Sequence, residues 1–256
     1  MNFFSLIQIE LQKIKHSKIL LLLVIPVFMM WIPSILNADG IFDTQGIPIT
    51  PESNFFVQGF MGMVWFMIPA TLILCTVLLR QNEHTNHGIL KMLALPISGP
   101  ALCLAKFTVL ILLTFVQMLL LILAYYLSAA AASAMVDYTL LLPPLFVFRT
   151  VFGFYLAAVP MAAVFWMIAV LIASPIFQIG IGLASIVPSV LLINTKVWFA
   201  YPMCYPFYLL MIAYGRAAAG VYATTIDWIP WIPIAALLTL AALFIACLRF
   251  GHAERK

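Results

Sequence analysis

From Thr150 to Thr195 the chain carries no aspartate, glutamate, lysine, arginine or histidine, and that run decides most of what it can fold into. A helix crosses a bilayer with about 20 apolar residues. The run is too long for one crossing and fits two, with Ser174-Pro175 as the turn between them. A second uncharged run, residues 107 to 136, allows another crossing with slack around Ala129 to Ala134. Over the whole chain 66% of residues are hydrophobic and 8% are charged, which excludes a soluble globular domain. Continuous apolar runs also exclude a membrane barrel, whose strands alternate over roughly ten residues. The expected class is all-α, a polytopic membrane protein forming a single domain over residues 1–256.

Six spans are predicted, at about 19–36, 55–79, 107–128, 150–173, 176–194 and 229–248. An amphipathic helix precedes them over residues 3–18. It sets Phe4, Ile7, Leu11 and Ile14 on one side and Gln8, Gln12, Lys15 and His16 on the other, and so lies on the membrane surface with Lys13, Lys15 and Lys18 toward anionic headgroups. A signal peptide is rejected, because the run from Ile19 to Leu36 is long for one and has no small-x-small cleavage site. Residues 196–228 contain a stretch apolar enough for a seventh span, but Pro202 and Pro206 interrupt it, and Tyr201, Tyr205, Tyr208 and Tyr214 suit an interface. Short external helices, re-entrant or surface-lying, are expected there. With both termini in the cytoplasm, nine basic residues fall inside (Lys13, Lys15, Lys18, Arg80, Lys91, Lys106, Arg249, Arg255 and Lys256) and three outside (Arg149, Lys196 and Arg216). A seventh span would strand the basic C-terminus outside. Trp31, Trp65, Trp198, Trp228 and Trp231 fall near span ends, as an aromatic belt would.

Chemistry of its own is hard to place in this chain. No G-x-x-x-x-G-K-[ST] string is present to wrap a nucleotide phosphate, and no H-E-x-x-H or G-x-S-x-G supplies a metal cage or nucleophile. His84 and His87 lack a third ligand nearby, and Cys75, Cys103, Cys204 and Cys247 are unpaired in spacing, so neither a metal nor a disulfide framework is expected. Gln117 and Gln178 either bond between helices or line a pathway, bonding being the more frequent role. No lysine, glutamate or aspartate sits in the middle of a span, where a proton-coupled carrier would normally need one. Prolines 26, 33, 69, 160 and 188 lie within spans and kink them, either statically or where a path opens.

The sizeable polar connection on the predicted cytoplasmic side is residues 80–106, RQNEHTNHGILKMLALPISGPALCLAK. Within it Ile89, Met92 and Leu93 follow the spacing of one helix face before Pro96 and Gly99-Pro100 interrupt the pattern. A short amphipathic helix outside the bilayer is the expected shape. Glu83 after a span, the helix around Leu90 to Leu93, Pro96 and Lys106 opening the next span together resemble the first cytoplasmic loop of type-2 ATP-binding-cassette exporter permeases. The chain departs from that family in reading Ile97-Ser98-Gly99 after Pro96, where a basic residue is usual. The resemblance extends to the interfacial N-terminal helix and to external helices between the fifth and sixth spans. It implies that Glu83, Ile89, Leu90, Met92, Leu93 and Lys106 couple the spans to a separate ATPase subunit, which carries the ATP and magnesium that this chain does not hold. It also implies a second permease subunit, identical or paralogous.

The start FFSLIQIELQKIKHSKI and the compact size look most like the permeases that protect Gram-positive bacteria against lantibiotics and bacitracin-like peptides. That resemblance implies a cell-membrane exporter of amphiphilic antimicrobial peptides, in contact with lipid and with no nucleic-acid partner. The candidate substrate-facing residues are the aromatics Trp198, Tyr201, Tyr205, Tyr208 and Tyr214. The competing class is a non-transporting membrane component such as a sensor or an assembly factor.

Overall fold

The computed structural model describes residues 3–15, 17, 19–84, 98–218 and 223–253. Helix α1 (Phe3–Lys15) lies outside the spans, and α2 (Ile19–Leu36) is the first helix long and apolar enough to cross a membrane. Next come α3 (Pro51–Gly62) and α4 (Ile68–His84), joined through a π-helical turn at Met63–Met67 into one continuous crossing. Pro69 has no N–H for the regular ladder and its ring crowds the preceding turn, which favours a widened turn there. Thr71 donates its hydroxyl to the Met67 carbonyl at 2.8 Å, and Gln117 Nε2 reaches Thr71 Oγ1 at 2.7 Å from the next span. Gln117 is 1% exposed, so it bonds one helix to another and lines no open path.

Helix α5 (Gly99–Val136) has 38 residues, which at about 1.5 Å each is far longer than a bilayer core is thick. It starts after an extended Ser98, with Pro100 in its first turn, and stops at Asp137 in the left-handed region. The sequence places slack at Ala129 to Ala134; the structure continues the helix through it, as the high helix propensity of alanine favours. Helix α6 (Pro144–Leu171) is joined to α7 (Pro175–Ile186) only by residues 172–174. Pro188 then opens the short α8 (Pro188–Leu192), which completes the fifth crossing. Two single 3-10 turns, Trp198–Ala200 and Pro202–Cys204, lead into α9 (Tyr205–Ala217). With 13 residues α9 is too short to span. Helix α10 (Trp228–Ala253), with an extended residue at Ile229, is the sixth crossing. All the described regular elements are helical, and six are long and apolar enough to cross a membrane.

Helix α6 is the centre of the bundle, packing against α4, α5, α7, α9 and, most extensively, α10. Its buried face is rich in alanine (Ala157, Ala158, Ala162, Ala163 and Ala169), which lets neighbouring backbones approach closely where no water is present to drive association. Two glycines serve the same end. A Cβ on Gly59 would lie 2.1 Å from Trp31 Cζ3, and one on Gly182 would lie 2.8 Å from Ile73 Cγ1. The Trp31 ring fits over Gly59 and meets Phe55, Phe60 and Tyr125 at centroid distances of 5.7, 5.3 and 5.7 Å. Trp31, Trp198 and Trp231 are therefore core residues, not the interfacial belt that their positions near span ends suggest; among those five tryptophans, Trp228 is the exposed one.

Candidate functional site

By the up-and-down course of the helices, the end of α4, the start of α5, the α6–α7 connection and the N-terminal helix meet at one end of the bundle. Helix α1 presents Leu6, Glu10 and Ile14 to the protein at four-residue spacing, and it packs chiefly on α5. The sequence reading puts Phe4 and Leu11 on the membrane-facing side of an interfacial helix. In the structure they point away from the bundle, Phe4 being 82% exposed, as a lipid-facing side requires, while Leu6, Glu10 and Ile14 face the protein. Helix α1 thus has one face for the bundle and another, carrying Phe4 and Leu11, still open.

The stripe toward the bundle contains a charge. Glu10 is 2% exposed, and its two carboxylate oxygens accept from Lys13 Nζ and Lys106 Nζ, each at 2.6 Å. Lys106, 1% exposed, sits two turns into α5. Burial alone pushes the Glu10 carboxyl up, but the Lys106 charge and hydrogen bond, with the weaker help of Lys13, outweigh it and hold the group below its ordinary value of 4.5. A carboxyl whose pKa is depressed on docking adds stability that is fully present above the undocked value and is lost as pH falls through the docked one. Docking of α1 should accordingly be unaffected near neutrality and weaken only below about 4.5. The protection factors of the amides in residues 3–15, exchange rates corrected for their intrinsic pH dependence, should fall in that acid window and show no such transition in Glu10→Gln. A protection factor that changes between pH 8 and 6 and not in acid would contradict the assignment.

A second buried cation closes the neighbouring corner. Arg80, 5% exposed on the penultimate turn of α4, donates to the carbonyls of Ala169 and Ile172. Gln178 on α7 donates to the same Ala169 carbonyl at 3.1 Å. The last carbonyls of a helix have no partner within it, and a cation there also meets the negative end of the helix dipole. Arg80 and Gln178 therefore tie α4, α6 and α7 together through the end of α6. Of the two roles open to Gln178, the structure shows bonding between elements.

Between these two anchors runs the segment that the resemblance assigns to ATPase coupling. Glu83 lies on the last turn of α4. Ile89, Leu90, Met92 and Leu93 fall outside the described residues, while Lys106 is the buried partner of Glu10. Sequence reasoning missed Glu10 and treated Arg80 only as a loop charge. The signal for Glu10 was its place between Leu6 and Ile14, one acid on an otherwise apolar four-residue stripe.

The five aromatics between residues 196 and 228 are brought together only in part. Trp198 stacks on Tyr208 at 3.8 Å between centroids, and Tyr205 meets Trp231 at 5.6 Å. Tyr205 is wholly buried and Trp198 and Tyr208 are each 8% exposed. Tyr201 donates to the Ser185 carbonyl, and Tyr214 packs half-buried against the main core. Among the described residues no cluster of three or more histidine, cysteine, aspartate or glutamate side chains is placed to hold a metal.

Residues 6–189 match the family described as ABC-2 family transporter protein. The match covers most of the 256 residues and includes Glu10, Arg80 and Lys106, and the chain belongs to that family. It is the multi-pass membrane component of an ABC-2 transporter, a permease without an ATPase site of its own, and such permeases pair with ATPase subunits. No curated protein and no solved structure matches the chain significantly.

Proposed function

We propose that this permease is half of a dimeric exporter unit, driven by a separate ATPase that binds ATP and magnesium and docks on residues 84 to 95, with both termini and the 80–106 connection in the cytoplasm. The observation that carries the reading is the way that connection is tethered. One flank is fixed through Arg80 to the α6–α7 corner and the other through Lys106 to α1, so a displacement of the segment between them pulls on five helices, α1, α4, α5, α6 and α7, and not on a loose loop. Ile89, Leu90, Met92 and Leu93 supply the apolar face that the ATPase covers, with Glu83 at the near end.

The cargo is an amphiphilic antimicrobial peptide of lantibiotic or bacitracin type, taken up from the outer part of the membrane and released outward, in a Gram-positive cell. Five of the chain's eight acidic residues, Asp39, Asp43, Glu52, Asp137 and Asp227, lie on the proposed outer side and favour a cationic cargo. The aromatic group of Trp198, Tyr201, Tyr205, Tyr208 and Tyr214 borders the outer interface, where a large amphiphile partitions.

Orientation is tested with single cysteines at Asp43, Lys91 and Lys256 in a cysteine-free background. The natural thiols at Cys75, Cys103 and Cys204 are buried and Cys247 partly so, and alanine, which adds no buried hydroxyl, replaces them. An impermeant reagent should label intact cells only at position 43. Labelling at 256 from outside would overturn the topology.

A further inference from the structure

At the end of the bundle opposite Lys106, a cavity of about 400 Å³ opens between α6, α9 and α10. That size lies within the range of roughly 300–1,000 Å³ typical of small-ligand sites. Its walls are mostly apolar, with Leu156, Leu209, Ile212 and Ile232 along the sides and Trp231 and Tyr205 at the base. Two arginines line it as well: Arg149 from the first turns of α6 and Arg216 from the last turn of α9. Arg216 donates Nε to the Thr224 carbonyl at 2.8 Å, which fixes the guanidinium plane and leaves its terminal amino groups for another acceptor. Neither arginine makes an ion pair with a described carboxylate. The flanking positions face outward, Leu145 being 79% exposed, Leu156 54% and Ile229 84%, so the cavity is bordered by surface that must meet hydrocarbon.

Two uncompensated guanidinium groups beside an apolar slot, on a surface bathed in lipid, select one kind of molecule: an anionic head on an acyl chain. We propose that the cavity binds one anionic phospholipid, its phosphate held by Arg149 and Arg216 and an acyl chain lying along Leu156, Leu209 and Ile232. The site is separate from the ATPase-coupling end and does not depend on the peptide assignment. It also accounts for two of the three basic residues on the side where charge sorting leaves few, since a positive pair there is useful to a bound anion.

The test uses the full chain in detergent, relipidated with phosphatidylglycerol or phosphatidylcholine and examined by native mass spectrometry. The protein should retain one phosphatidylglycerol in preference to phosphatidylcholine. R149Q/R216Q should weaken that retention by about tenfold or more, the worth of one charge-assisted hydrogen bond, while R149K/R216K keeps part of it. Gly153→Phe keeps both arginines and puts bulk in the slot; a Cβ at Gly153 would have its nearest neighbour, Leu209 Cδ1, at an ordinary 3.5 Å, so the site accepts the first carbon of a side chain. It should also expel the lipid. Equal retention of phosphatidylcholine, unchanged retention in both R149Q/R216Q and Gly153→Phe, or displacement by inorganic phosphate as efficiently as by the lipid would overturn the proposal.

Discussion

Replacing Leu90 and Leu93 together by aspartate should abolish copurification of the ATPase while all six spans still insert. The two positions lie three residues apart, the spacing of one face in the proposed coupling helix. Forcing two carboxylates into an apolar protein groove costs several kcal/mol, since each loses water and gains no partner. On that scale binding falls by more than about 100-fold, enough to empty a complex isolated at micromolar concentration. Because the flanks are anchored through Arg80 and Lys106 to packed helices, the substitutions act on docking and leave the bundle intact. Size-exclusion profile and thermal stability of the permease alone should match the parent chain. Undiminished assembly would remove the coupling role from this segment.

The second large effect is expected at Glu10. Glu10→Ala removes the carboxylate that bonds the buried Lys106 ammonium at 2.6 Å, and breaking a buried pair by removing one partner typically costs about 3–5 kcal/mol. Replacing both partners with apolar residues of similar volume is far less damaging, because no charge is then stranded. Glu10→Leu with Lys106→Met should therefore be more stable than Glu10→Ala alone, as judged by thermal unfolding in detergent. If the single and double variants unfold at the same temperature as the parent, the pair does not hold α1 to α5.

Those two sites differ in how much of them the sequence displays. The six crossings are legible because apolar length is a property of the chain itself, and the basic asymmetry adds a direction. The amphipathic pattern of Ile89, Met92 and Leu93 is equally local. Burial within the bundle is another matter. In a membrane protein lipid-facing and protein-facing residues are both apolar, so hydropathy does not separate Trp31, packed over Gly59, from Trp228, which is open. The same ambiguity hides which side of α1 meets the bundle, where only the long-range partner of Glu10 identifies the protein-facing stripe. Arg80 and Gln178 meet on carbonyls of a third helix, a convergence that no spacing in the sequence encodes. The aromatics between residues 196 and 228 show the limit from the other direction: their composition suits an open interface, yet the rings of Trp198, Tyr205 and Tyr208 pack on one another and on Trp231.

The most direct measurement is the inhibitory concentration of lantibiotics and of bacitracin for a sensitive host expressing this permease, its partner permease and either an active or a hydrolysis-dead ATPase. The account predicts a raised inhibitory concentration with the active ATPase and none with the dead one. Equal protection from both would contradict an ATP-driven exporter, and ATPase-dependent protection against another class of compound with no change for any peptide would contradict the peptide cargo.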